Sequence, residues 1–80
     1  MTQALNDARE VHAKAHELIN GLATAGIAPG ISLIATYQAL NERMLLEVGL
    51  EPTKAWLRRQ AKQLDDHGEV LLAALREARP

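Results

Sequence analysis

In PGISLIATYQALNERMLLEVG, residues 29–49, the helix breakers stand at the two ends and nothing between them interrupts a helix. Leu33, Ile34, Tyr37, Leu40, Met44 and Val48 recur at three- and four-residue steps and form one broad apolar stripe. Ile31, Ala35, Ala39 and Leu46 form a second. Gln38, Glu42 and Leu45 separate the two stripes on one side, and Ser32, Thr36, Arg43 and Glu47 on the other. A helix in a three-element domain normally needs one apolar face. Two such faces mean that this helix is either sandwiched inside a bundle or offered to another chain.

Upstream, Ala4, Ala8, Val11, Ala15, Leu18, Leu22 and Ala25 alternate four- and three-residue steps, a heptad-like seam that Leu5 and Ile19 widen. The spacing predicts a helix over about 3–25, with Thr2 or Asn6 as N-cap and Gly21 as a tolerated helical glycine. An early end at Asn20-Gly21 is the alternative. Gly26 followed by Ile27 has the form of a Schellman C-terminus, in which a left-handed glycine precedes an apolar residue that folds back. Ala28-Pro29-Gly30 then carries the chain round.

Downstream, Gly49-Leu50 predicts a second ending of the same kind, and Pro52 suits a first helical turn, where its missing N–H is not needed. Leu57, Ala61, Leu64, Gly68, Leu71, Leu75 and Ala78 fall on one seam. The register survives Asp65-Asp66-His67-Gly68, which predicts one long helix over about 52–78, with Gly68 as the place for any bend. Short connections between long helices favour antiparallel neighbours. The expected fold is therefore all-α: one domain, residues 1–80, with helices over about 3–25, 31–48 and 52–78. They would form a three-helix up-down-up bundle in which helices 1 and 3 cover the first stripe of helix 2. Dimerisation is the route by which such a bundle would be completed.

Composition narrows the function classes. Eighty residues bury only roughly 60% of their unfolded surface. The 48% hydrophobic content includes 14 Ala, with Tyr37 and Trp56 the only aromatic residues, so the core available to one chain is thin. There is no cysteine, which excludes disulfides and thiolate metal sites. Met1 to Glu10 lacks the basic start and apolar run of a secretory leader, and no stretch approaches the 18 or so apolar residues of a membrane span. A cytoplasmic location away from membranes is the expectation. Nine Lys and Arg against ten Asp and Glu give a net charge of −1, which argues against a general polyanion binder.

One stretch carries a resemblance. Leu46-Glu47-Val48-Gly49-Leu50-Glu51-Pro52-Thr53-Lys54-Ala55-Trp56-Leu57-Arg58-Arg59 resembles the helix-turn-helix of DNA-binding repressors, in which a Val-Gly-Leu-x-Pro turn leads into a recognition helix. The resemblance covers about 14 of the 80 residues. It implies a DNA-binding regulator, dimeric, whose Lys54, Arg58, Arg59 and Lys62 meet phosphates or base edges. Leu45 stands where that motif usually has a small residue, and Arg58 where it has an apolar residue that locks the two helices.

Three further constellations bear on function. His12 and His16 are one turn apart beside Glu17, a spacing at which both can ligate a metal given a third ligand. Trp56, Gln60, Gln63, His67, Val70 and Ala74 form a flank of mixed amide, aromatic and aliphatic character, the composition of a buried protein interface. Asp65, Asp66 and Glu69 read as a solvated face, with Lys62 and Asp66 paired across one turn. No Ser-His-Asp set, phosphate loop or nucleophile elbow is present, and a small bundle has little room for a substrate cleft.

The expectation is a non-enzymatic protein-interaction module without a cofactor: an adaptor, regulatory subunit or inhibitor. Its partner is another protein or its own copy, met through Ile31, Ala35, Ala39 and Leu46 of helix 2 and Trp56, Gln60, Gln63, His67 and Val70 of helix 3. Nucleic acid is the second choice of partner, and a His12–His16 metal site the third reading.

Overall fold

The structure is a computed structural model that describes residues 2–78; Met1, Arg79 and Pro80 lie outside the described residues. Three helices, α1 (Gln3–Thr24), α2 (Pro29–Val48) and α3 (Leu50–Ala78), account for nearly all of these, and no strand occurs among them. The chain divides within α2 into two units, Met1–Leu40 and Asn41–Pro80.

In the first unit Thr2 caps α1, its extended backbone letting Oγ1 accept the Leu5 N–H at 3.3 Å. Asn6, the other N-cap candidate, lies inside the helix, and α1 runs through Gly21 to Thr24. It then ends as a complete Schellman motif. Gly26 adopts φ 91°, the Ile27 N–H donates to Leu22 O at 3.1 Å, and the Gly26 N–H donates to Ala23 O at 3.0 Å. Helix α2 begins at Pro29 rather than near Ile31. Proline's fixed φ suits the first helical position, and the Ala28 carbonyl accepts the N–H groups of Ile31 and Ser32 at 3.0 and 3.1 Å.

In the second unit a single non-helical residue, Gly49, joins α2 to α3. It adopts φ 88°, but its ending is simpler than the expected Schellman form: the Gly49 N–H donates to Leu45 O at 3.0 Å and α3 starts at the next residue. Pro52 therefore sits inside the first turn of α3, where its lack of an N–H leaves no bond unmade. Helix α3 then continues unbroken through Gly68 to Ala78.

Where the side chains are covered differs from expectation. Periodicity assigns the first stripe of α2 to the core, yet Leu33, Ile34, Tyr37, Leu40 and Val48 are all exposed, and only Met44 is half-buried. The buried position is Ser32, from the polar strip between the stripes, with Thr36 half-buried one turn on. Ser32 tolerates burial because its hydroxyl donates to Pro29 O at 3.2 Å, within its own helix. No apolar side chain is buried among the described residues. The sequence periodicity thus identifies faces that need cover, and most of their described side chains are exposed.

Candidate interaction surfaces

Each unit presents an apolar surface. In the first, Ala28, Gly30, Ile31, Ile34, Ala35 and Gln38 line an open depression of about 470 Å³. Two expected interface residues, Ile31 and Ala35, meet there, joined by Ile34 from the stripe assigned to the core. Ile31 is 66% exposed. Ala39 is exposed farther along the helix.

The second unit holds the remaining expected residues. Gln60, Gln63, Leu64, His67 and Leu71 line a groove of about 340 Å³ along α3. Three of these come from the predicted flank and two from the predicted heptad seam, so the two patterns meet in one surface. Trp56 and Gln60 are half-buried. Val70, at 75% exposed, and Leu46, at 82%, are among the most open large apolar residues of the chain.

The residues proposed for DNA contact are also in this unit. Lys54 Nζ lies 3.5 Å from Glu51 Oε1, and Lys62 Nζ lies 2.8 Å from Asp66 Oδ2, the i, i+4 pair expected from the sequence. Arg58 and Arg59 are exposed. The one-residue connection at Gly49 is shorter than the three- or four-residue turn of a helix-turn-helix.

His12 and His16 stack edge to face with ring centroids 4.7 Å apart. No group of three or more His, Cys, Asp or Glu placed to hold a metal occurs among the described residues. None of the described helices is long and apolar enough to cross a membrane.

Sequence reasoning missed two polar positions that the structure covers wholly or in part. Thr53 is 2% exposed, with its hydroxyl donating to Gly49 O at 2.7 Å. Asn41, half-buried at the start of the unit, has a buried Oδ1 without a hydrogen-bond partner. Their type gave no signal, because a lone Thr or Asn on a helix is ordinarily a surface residue. No protein-family model, curated protein or solved structure matches the chain.

Proposed function

We propose that the chain is a cytoplasmic, non-enzymatic protein-interaction module whose three-helix up-down-up bundle is completed by another polypeptide. The observation that carries this reading is the complete lack of buried apolar side chains among the described residues, set against eighteen large apolar side chains that stay exposed. Isolated helices of this length are marginal in water and draw most of their stability from burying an apolar face. A chain whose described apolar side chains are at most half-buried gains stability by meeting a partner. Contiguous exposed apolar surface on a small protein marks a binding site. The interface runs through Ile31, Ala35, Ala39 and Leu46 of α2 and the Trp56 flank of α3, and the partner supplies matching apolar side chains.

The test is the pair Ala39→Glu and Leu46→Glu in one chain. Both positions are exposed, so the charges are tolerated by the isolated chain. Association, read as solution mass by light scattering or as capture of the partner, is expected to disappear while helicity by circular dichroism is kept. Association that survives the double substitution places the interface elsewhere.

The runner-up is a DNA-binding regulator working through Lys54, Arg58, Arg59 and Lys62. What favours it is the exposure of Arg58 and Arg59 on the helix that follows the glycine turn. It requires retention on duplex DNA that weakens steeply with salt and is lost in Arg58→Ala/Arg59→Ala. Absence of retention at low salt removes it.

A further inference from the structure

Helix α1 carries two imidazoles on one stretch of its surface. His12 and His16 stand four residues apart, the spacing that sets side chains one above the other on a helix. Both are exposed. Their rings meet edge to face with centroids 4.7 Å apart, and among the described residues neither has a hydrogen-bond or ion-pair partner. The ring nitrogens are therefore open to a ligand from outside the chain.

The separation of the rings is the one a shared metal ion requires. An imidazole nitrogen binds such an ion at about 2.0–2.1 Å, which places the ion about 3.2 Å from the ring centroid along the nitrogen lone pair. Two rings bound at angles between a right angle and the tetrahedral angle then have centroids about 4.5–5.2 Å apart. The observed 4.7 Å lies inside that range. The ring planes differ by 64°, so aiming both nitrogens at one point takes rotation about exposed side-chain bonds and no movement of the helix backbone.

The geometry points to a metal site: His12 and His16 chelate one divalent ion of the Ni²⁺, Cu²⁺ or Zn²⁺ class and clamp the turn of α1 between them. Imidazole suits these ions, whereas Mg²⁺ and Ca²⁺ take oxygen ligands. Glu17 follows His16 directly in the chain and so faces another way. No third His or carboxylate is placed with the pair among the described residues. The protein thus supplies two ligands and water the rest, which makes the ion exchangeable. Lys14, two residues from each imidazole, lies on a different face and pairs with Glu10 at 3.9 Å. Arg9, one turn before His12, opposes the ion only through repulsion that salt screens.

The clamp acts on the helix itself. No residue of α1 is fully buried, so its stability is open to a ligand held on its surface. The two imidazoles keep their spacing only while residues 12–16 are helical, so an ion that binds both favours the folded helix and is released when it unfolds. This site is independent of the interaction module proposed above, and either reading can fail without the other.

Thermal melts and calorimetry with Ni²⁺ test the site, in buffer alkaline enough for an ordinary imidazole to be uncharged. Ni²⁺ is expected to raise the melting temperature of the native chain, and Mg²⁺ to leave it unchanged. His12→Ala and His16→Ala each leave one imidazole and are expected to bind Ni²⁺ at least about tenfold more weakly. Exchanging two exposed residues, as Ala13→His with His16→Ala, keeps the composition and the number of imidazoles but turns them to different faces. That chain is expected to bind as weakly as the single variants, while His67→Ala, on α3, binds like the native chain. Native-strength binding by the exchanged chain or by either single variant overturns the proposal, because the spacing would then not hold the ion. A Ni²⁺ effect that is absent, matched by Mg²⁺ or lost in His67→Ala overturns it equally.

Discussion

The Thr53 hydroxyl donates to the Gly49 carbonyl at 2.7 Å, and the same carbonyl accepts the Thr53 N–H at 3.4 Å. One oxygen thus gathers two bonds at the only non-helical residue between α2 and α3. The side chain that makes the shorter bond is the most completely covered of any described residue. Thr53→Val keeps the shape and β-branching and removes the hydroxyl. The Gly49 carbonyl retains its backbone partner, so the expected loss is that of one bond, about 1 kcal/mol. Chemical denaturation at fixed protein concentration measures it, and an unchanged midpoint would mean that the hydroxyl bond contributes nothing to the corner.

Two glycines at helix positions of opposite kind should respond in opposite directions. Gly49 adopts φ 88°, where a Cβ crowds the following carbonyl, so Gly49→Ala is expected to destabilise by about 1–2 kcal/mol. Gly21 is helical, and a Cβ added there would meet nothing within 4 Å, so Gly21→Ala is expected to stabilise by up to about 1 kcal/mol. Thermal melts of the two variants beside the native chain decide the matter. Equal shifts would contradict the assignment of Gly49 as an obligatory left-handed residue.

These glycines also show what is legible in the sequence. The turn at Gly26-Ile27 can be read because a Schellman ending depends on local chemistry alone, a residue that tolerates positive φ followed by an apolar one. Gly49 is legible as a stop, but its simpler hydrogen bonding is not, since that depends on how soon the next helix begins. The seam of α3 is readable from spacing, and so is the Lys62–Asp66 pair. Burial is not. Periodicity says that Leu33, Ile34 and Tyr37 share a face seeking cover, but not which chain provides it, and Ser32 is covered because of what lies around it rather than because of its own pattern.

Asn41 is a local conflict of the kind that evolution leaves where something else is gained. Its Oδ1 is buried without a partner, and an unmet acceptor of this kind is unfavourable by about 1–3 kcal/mol. Asn41→Leu, which replaces the amide by an apolar group of similar size, is expected to raise stability by about 1 kcal/mol in the chain as it stands. Denaturation midpoints test this. A loss of stability together with a changed solution mass would show that the amide is satisfied by a partner and helps to select it, as single polar residues do in helical interfaces.

The strongest global consequence concerns concentration. With no apolar side chain buried among the described residues, the association proposed above would add apolar burial that these residues lack, and stability with it. On that reading stability depends on mass action: dilution shifts the equilibrium toward the dissociated, less stable chain, and the melting temperature falls with it. Circular dichroism melts over roughly a hundredfold range of concentration are expected to show a steady downward shift on dilution. Leu64→Glu, on the exposed α3 seam, should reproduce the dilute behaviour at high concentration, because a charge there is harmless to an isolated helix and unfavourable in an apolar contact. A melting temperature independent of concentration in the native chain would mean that one chain is sufficient for its own stability and that the open apolar faces serve only a transient partner.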